Sequence, residues 1–396
     1  MAKILIEDPE DKTRVPFLRG ILIRSLQDAG LPFRDAYDLA TEVRNALGDT
    51  ELITTHELRH KVLELLRARA GQEVSTRYEK QKIHIAIQVE QRDGQLTPFY
   101  RLELQNTLET IGLATEEATE IVATIHQNLL DRHLEVITSR QLGEMTYQHL
   151  MQSSGLGPAV AHRWLVWRDF VNSGRPLIFL IGGTAGCGKS TIATSLASRL
   201  EIVRTQSTDM LREVMRTMLP EQLLPVLHTS SFTAWTALPE QPEDMKEDPD
   251  TLLVNGYRSQ ADLLSVAIDA VIQRALRERV SLIVEGVHIH PAFIEKLTGN
   301  GEAILMPVML GLLKRKQLQR RIRGRGTDVP HRRADRYLQH FDEIWGLQSY
   351  LLSEADRANI PIVINSSRDK VFREIMRITI ESLAKDFSNT AEAVFA

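Results

Sequence analysis

Apolar and polar positions follow two rhythms in this chain, and they change over near residue 174. Beyond it, short apolar runs alternate with longer stretches in which apolar residues recur at helical spacing. Leu177–Ile181, Ile202–Gln206, Leu282–Val284, Ala303–Met309 and Pro361–Ile364 read as strands, the first of them as a buried one. Such alternation predicts a parallel sheet with crossover helices, hence an α/β domain. Gln260 to Arg279 reads as one long helix. Ala237 to Asp250, rich in Pro, Glu and Asp, reads as an exposed loop or lid, and the last ten residues as a loose tail.

Ahead of residue 174 the pattern repeats itself. Val15-Pro-Phe-Leu-Arg19 returns as Thr97-Pro-Phe-Tyr-Arg101, Gly30-Leu31 as Gly112-Leu113, and Ile53-Thr-Thr-His-Glu-Leu58 as Ile137-Thr-Ser-Arg-Gln-Leu142, about 82 to 84 residues apart. Each copy reads as a short strand pair, an Arg-bearing helix, a second amphipathic helix and a Thr-capped third helix. The copies open differently. Ile83-His-Ile-Ala-Ile-Gln-Val89 alternates like a strand and meets the turn Arg92-Asp-Gly94, where the first copy has Glu7-Asp-Pro-Glu-Asp-Lys-Thr13. The expected domains are residues 1–80 and 81–173, mostly helical copies of one module, then 174–387, with 388–396 as the tail.

Composition narrows the classes. A length of 396 residues suggests two or three domains. A net charge of −4 argues against a surface built for non-specific binding to nucleic acid or anionic membrane. The single cysteine, Cys187, excludes a disulfide within the chain and fits a reducing cytoplasm. The start of the sequence lacks the apolar core of a signal peptide, and the longest apolar stretch, Ala303 to Leu313, is too short to span a bilayer. A soluble cytoplasmic protein is expected, with a homo-oligomer left open.

Candidate chemistry concentrates after the first of the five strands. Gly183-Thr-Ala-Gly-Cys-Gly-Lys-Ser190 fits G-x-x-x-x-G-K-[ST] between an apolar strand and a helical stretch, the setting of a P-loop. Glycines let successive N–H groups turn inward on phosphate oxygens at the positive end of the helix. Gly183, Thr184, Gly186, Cys187, Gly188, Lys189, Ser190 and Thr191 are thus expected to hold ATP, with Lys189 bridging phosphates and the Ser190 hydroxyl on Mg²⁺. After the second strand, Asp209 can orient or deprotonate an acceptor hydroxyl, or cap the helix that follows, as Ser207 or Thr208 could. Arg212 and Arg216, four apart on that helix, suit an acidic or phosphorylated acceptor. Glu285 ends the third strand, where a carboxylate approaches Mg²⁺ directly or through water. His288 and His290 lie two apart without further ligands, a weak metal signal.

Ten basic side chains lie between Lys314 and Arg336, Arg320 and Arg321 among them, with only Asp328 and Asp335 nearby. Lacking aromatic interleaving, they read better as a mobile arginine lid over transferring phosphate than as a nucleic-acid patch. Acceptor recognition is expected from two polar segments with aromatics. One offers His228, Ser230, Ser231 and Trp235; the other offers Tyr257, Arg258 and Gln260. As core or cap residues these would be ordinary.

In order along the chain, Gly182-Gly-Thr-x-Gly-x-Gly-Lys-Ser-Thr191, Ser207-Thr-Asp-x-x-Arg-Glu-Val-Met-Arg216, Leu227-His-x-Ser-Ser-x-x-Ala-Trp235 and Glu285-Gly-Val-His288 together resemble the 2-phosphoglycerate kinase family. The likeness covers Gly174 to about Lys385. It implies a P-loop kinase that uses ATP to convert 2-phosphoglycerate to 2,3-bisphosphoglycerate, a precursor of cyclic 2,3-diphosphoglycerate in methanogenic archaea. Asp209, Arg212, Arg216 and Glu285 would be its acidic and basic partners, and Arg320 to Arg336 its lid. The amino-terminal copies resemble ATP-cone domains, small nucleotide-binding modules that regulate the enzymes they precede. Gln91-Arg-Asp-Gly94 resembles that module's Lys-Arg-Asp-Gly turn without its lysine, and the first copy lacks the turn. Two other readings stand beside this one: a P-loop kinase of another phosphorylated polyol, such as an inositol or sugar phosphate, and a regulatory ATP switch.

Overall fold

The computed structural model describes residues 4–7, 14–17, 19–48, 50–69, 74–76, 78, 87–132, 134, 136–152, 157–239, 248–297, 302–328, 334–387 and 390–395. They divide into two compact units, Met1–Phe99 with Leu134–Ile137 and Tyr100–His133 with Thr138–Ala396.

In the first unit, β1 (Leu5–Glu7) pairs antiparallel with β2 (Arg14–Pro16) and parallel with β3 (Leu52–Thr54). Helices α1 (Arg19–Asp28), α2 (Phe33–Ala46) and α3 (Thr55–Arg69) close a core around Leu26, Leu39, Val43, Val62 and Leu66. A second sheet of β4 (Gln88–Glu90), β5 (Leu96–Pro98) and β6 (Val136–Thr138) runs in the order β5-β4-β6, matching the order β2-β1-β3. The sequence repeat is therefore also a repeat of topology. Its helix caps are doubled too. Thr54 Oγ1 accepts from the Glu57 N–H at 3.2 Å while the Glu57 carboxylate accepts from the Thr54 N–H at 2.9 Å. Thr138 and Gln141 make the same reciprocal pair, both bonds at 3.1 Å. Of the strand expected over 83–89, residues 83–86 lie outside the described residues, as do residues 8–13 at the corresponding place in the first copy.

The second unit opens with α4 (Arg101–Thr110), α5 (Thr115–Asp131), α6 (Ser139–Gln152) and α7 (Gly157–Ser173). A five-stranded sheet follows: β7 (Leu177–Gly182), β8 (Arg204–Ser207), β9 (Leu282–Gly286), β10 (Ile304–Gly311) and β11 (Ile362–Ile364), in the order β11-β10-β7-β9-β8. Every neighbouring pair is parallel, so all five carboxyl ends share one edge. Each residue of β7 is buried, which explains its unbroken apolar run. Ile178 and Leu180 pack with Leu264, Ile268 and Ile272 of α10 (Pro249–Arg277), while Met309 packs with Leu347 and Leu351 of a later helix (Phe341–Arg357). The strands expected from the apolar runs agree with these positions to within about two residues. The sheet is thus parallel and flanked by helices, as expected.

Two expectations change. The long helix starts at Pro249 rather than near Gln260, because Asp248 caps it, accepting from the N–H groups of Asp250 and Thr251 at 3.0 Å each, with proline in the first helical position. The segment Gly256 to Gln260 is therefore helical. What remains of the expected loop is 237–248, of which 240–247 lie outside the described residues. The second change is at the C-terminus, expected to be loose. Val394 and Phe395 are buried, the Asn172 amide donates to the Val394 carbonyl at 3.2 Å, and Phe395 packs beside Tyr147. Among the described residues no helix is long and apolar enough to cross a membrane.

Candidate active site

The loop from Gly183 to Gly188 leaves the carboxyl end of the buried β7 and enters α8 (Lys189–Arg199). At Gly186 and Gly188 the backbone adopts φ of 84° and 97°, values that L side chains rarely take. Space forbids a side chain there as well: a Cβ on Gly188 would lie 2.4 Å from the amide nitrogen of Asn365, and one on Gly186 2.8 Å from Ile322. Lys189 is buried, and its ammonium donates to the Thr184 carbonyl at 2.9 Å. The Thr184 hydroxyl is itself spent on the Ile344 carbonyl. Cys187 is fully enclosed, whereas Ser190 and Thr191 are exposed at the start of the helix.

Ser190 and Glu285 meet. The Ser190 hydroxyl donates to Glu285 Oε1 at 2.9 Å, joining the first turn of α8 to the end of β9. One hydroxyl and one carboxylate form a hard-oxygen pair, the donor chemistry that Mg²⁺ takes. At the end of β8, Ser207 rather than Asp209 caps α9 (Thr208–Met218), accepting from the Asp209 N–H at 3.2 Å. The Asp209 carboxylate stays exposed and uncommitted to the cap. Burial lowers the pKa of His288 to about 4, opposed by the negative charge of Asp209 and reinforced by the positive charges of Arg212 and Lys189. Asp209, Arg212 and Lys189 thus surround one neutral imidazole.

Arg212 also braces the scaffold, one of its nitrogens donating to the carbonyls of Leu227 and Thr229 at 3.1 and 2.5 Å. Arg216 points elsewhere and pairs with Glu213 at 3.0 Å on the surface. Of the basic segment, residues 329–333 lie outside the described residues. The helix α12 (Arg315–Asp328) buries Leu318 and Ile322 with Phe232, Leu312, Phe341 and Ile344. Arg321 reaches the loop, donating to the carbonyls of Cys187 at 3.3 Å and Asn365 at 2.8 Å, while Arg320 is exposed. Further on, Arg336 donates to the Ser230 hydroxyl at 3.1 Å, and Tyr337 and His340 pack beside Phe232.

The other expected acceptor residues separate. Ser230 accepts from Arg336, Ser231 is buried, and the next residue, Phe232, packs against Tyr337. Trp235 is partly exposed, its backbone pressed against Gly256, where a Cβ would come within 2.2 Å. His228 donates to the Leu219 carbonyl at 2.9 Å. Tyr257 and Gln260 are wholly enclosed, which removes them from direct contact with an acceptor. The Tyr257 hydroxyl donates to the Val287 carbonyl at 2.8 Å, and Gln260 binds Val226, Thr229 and His288. Arg258 is exposed on the other side of that helix, where its charge is felt by His290 and Tyr350. His288 and His290 do not converge: His290 caps α11 (Pro291–Lys296) and bonds the Tyr350 hydroxyl at 2.9 Å. Among the described residues no cluster of His, Cys, Asp and Glu could hold a metal ion by itself.

Sequence reasoning missed one wall of the site. A cleft of about 320 Å³ opens beside the loop, lined by Gly186, Gly188, Arg321, Asn365, Ser367 and Arg368 among others. Asn365 is buried just beyond β11, and its amide donates to the Cys187 carbonyl at 2.7 Å. The available signal was the polar run Asn365-Ser-Ser367 directly after the last apolar strand, at the carboxyl edge where ligands of parallel sheets bind.

Residues 87–173 match the ATP cone domain family. The chain is similar over most of its length to proteins named 2-phosphoglycerate kinase. It is 35% identical to one from Pyrococcus horikoshii over 297 residues, 74% of this chain and 94% of the relative. A second, from Methanopyrus kandleri, is 33% identical over 316 residues, 80% of this chain and 93% of the relative. A third, from Methanocaldococcus jannaschii, is 31% identical over 287 residues, 72% and 89% respectively. On these matches the chain belongs to the 2-phosphoglycerate kinase family.

Proposed function

We propose that this protein transfers the γ-phosphoryl group of ATP to the free hydroxyl of 2-phosphoglycerate, giving 2,3-bisphosphoglycerate and ADP. The observation that carries the reading is the meeting of Ser190 with Glu285 beside Lys189, at the mouth of a glycine loop between strand and helix. That arrangement supports a P-loop kinase domain over residues 174–387. The loop amides and Lys189 hold the β- and γ-phosphates, Lys189 exchanging the Thr184 carbonyl for phosphate oxygens. Arg321 and Asn365 bound the adjoining cleft on the nucleotide side. Ser190 and Glu285 hold Mg²⁺, which when bound offsets charge on the β- and γ-phosphate oxygens.

The acceptor approaches from the other side, between Asp209 and the segment carrying Ser230. Asp209 orients its hydroxyl and takes its proton as the new P–O bond forms and the bond to the ADP oxygen breaks. Arg212 and Arg336 offer positive charge to the acceptor's own anionic groups, and Arg320 and Arg321 to the phosphoryl group in transfer. Arg216 joins this set only by leaving Glu213. The partner is thus a small phosphorylated acid, with neither nucleic acid nor membrane required. The two repeated modules, residues 1–80 and 81–173, are ATP-cone-like, and the cone match over 87–173 supports the second of them.

ADP release with Mg-ATP and 2-phosphoglycerate, 3-phosphoglycerate, glycerate or no acceptor tests the reading. Turnover only with 2-phosphoglycerate is expected. Equal rates with and without acceptor would favour the ATP switch, and turnover with an inositol or sugar phosphate alone would move the substrate elsewhere.

A further inference from the structure

We infer that His288 is a positioning residue for the acceptor side of the site, tying the first turn of α9, which carries Asp209, to the segment from Val226 to Thr229 through Gln260. This role rests on the phosphotransfer reading above and on a hydrogen-bond chain whose every proton can be assigned.

Gln260 sets the direction. Both protons of its amide are used, Nε2 donating to the carbonyls of Val226 at 2.6 Å and Thr229 at 3.2 Å. Its Oε1 therefore faces His288 Nε2, 2.9 Å away, and can only accept. The imidazole must carry its hydrogen on Nε2, which leaves Nδ1 as an acceptor. Thr208 Oγ1, 2.9 Å from Nδ1, is then the donor. The chain runs one way: Thr208 to His288, His288 to Gln260, Gln260 to two loop carbonyls. Thr208, His288 and Gln260 are all buried, and a broken link leaves an unpaired polar group without water.

Both ends touch the chemistry. Thr208 directly precedes Asp209 and lies so close over Gly286 that a Cβ there would meet its hydroxyl at 1.7 Å; Gly286 directly follows Glu285. At the other end, the Thr229 carbonyl receives both Gln260 and Arg212, so α9 and α10 hold it together, one residue before Ser230. A neutral imidazole fixed at both nitrogens thus sets the spacing between Asp209 and Ser230 while touching neither reactant. The charged groups around it are Asp209, Arg212 and Lys189.

His288→Asn and His288→Gln separate the two links. Asparagine places an acceptor near the position of Nδ1 and gives up Gln260; glutamine reaches Gln260 and gives up Thr208. Each is expected to lower kcat about tenfold and raise the KM for the acceptor several-fold, with the KM for ATP within about twofold. Thr208→Val should reproduce the His288→Gln loss, and Thr208→Ser, which keeps the hydroxyl, should restore activity to within about twofold. Amide deuterium exchange should rise over residues 225–237 in His288→Asn, which gives up Gln260, and over residues 207–213 in His288→Gln, which gives up Thr208. It should stay unchanged over residues 177–199 in both. Wild-type-like kinetics in both His288 variants would overturn the assignment, as would exchange raised equally across the sheet. If wild-type protein phosphorylates no acceptor, the function reading fails, and unchanged exchange over 225–237 in His288→Asn then overturns the positioning chain separately.

Discussion

The hydroxyl of Ser190 and the carboxylate of Glu285 lie 2.9 Å apart, bringing together residues 95 positions apart in the sequence. Strand β9 pairs directly with β7, which explains how the end of one strand reaches the helix that follows the other. Glu285→Gln keeps the shape and one acceptor oxygen but removes the charge. It is expected to lower kcat by about 100-fold and to raise the Mg²⁺ concentration needed for half-maximal rate. A Mg²⁺ titration at saturating ATP reads both effects, and an unchanged half-maximal concentration would remove Glu285 from the metal site.

Asp209 is free of the helix cap, since Ser207 fills that role. Replacing it with asparagine should therefore leave the helix start intact and act on the chemistry. The expected loss in kcat is about 100-fold or more, with the KM for ATP nearly unchanged. Steady-state kinetics in both substrates decide this; a variant altered only in ATP affinity would move Asp209 out of the acceptor's path.

Asn365→Ala takes a donor from the buried Cys187 carbonyl and a wall from the cleft. Arg321 still donates to that carbonyl at 3.3 Å, so the cost is that of one net hydrogen bond, about 1 kcal/mol. Because the bond braces the phosphate loop, the effect should fall on nucleotide binding: a rise of about tenfold in the KM for ATP, with the acceptor KM little changed. Isothermal titration with ADP provides an independent check, and unaltered ADP affinity would contradict the role.

His288 gives the fold an acid sensitivity whose sign is fixed. Its pKa lies near 4 in the folded protein, below the value of 6.5 expected when unfolded. Between these values the unfolded chain binds the additional proton, so stability is complete above about pH 6.5 and falls as pH drops toward about 4. By pH 5 the loss attributable to this residue is about 2 kcal/mol. All four tryptophans, Trp164, Trp167, Trp235 and Trp345, belong to the same unit as His288, so their fluorescence follows the relevant unfolding. Urea midpoints at pH 7.5 and pH 5 should converge by about that amount in His288→Asn relative to wild type. Parallel shifts in the two proteins would assign the acid sensitivity to other groups.

Strands β7, β9 and β10 were legible because a parallel sheet covered on both faces leaves its inner strands a nearly unbroken apolar run. Strand β8, Arg204 to Ser207 at the sheet edge, has no buried residue and was legible only from Ile202-Val203 just before it. Gly183 to Ser190 was legible because a turn with left-handed backbone at Gly183, Gly186 and Gly188, followed by Lys-Ser at the start of a helix, restricts backbone and side chains together. Much of the acceptor side was not. Tyr257 and Gln260 carry polar atoms at positions that, in a sequence, look the same on the buried and the exposed face of a helix. Only the register of α10 against Val287 and Thr229 shows that their polar groups are already spent. Arg212 and Arg216 share a face by spacing, yet one is taken up by loop carbonyls and the other by Glu213. The tail misled for a related reason: Val394 and Phe395 gain their burial partly from Asn172 and Tyr147, more than 200 residues earlier, a distance no local pattern encodes.

The most direct test of phosphoryl transfer at the Lys189 site is ³¹P NMR of the products formed from Mg-ATP and 2-phosphoglycerate by wild-type protein and by Lys189→Ala. Wild-type protein is expected to yield ADP and an equal amount of a product with two phosphomonoester resonances. The variant, with an unchanged circular dichroism spectrum, is expected to yield neither. ADP without the bisphosphorylated product, or full product formation by Lys189→Ala, would contradict the assignment.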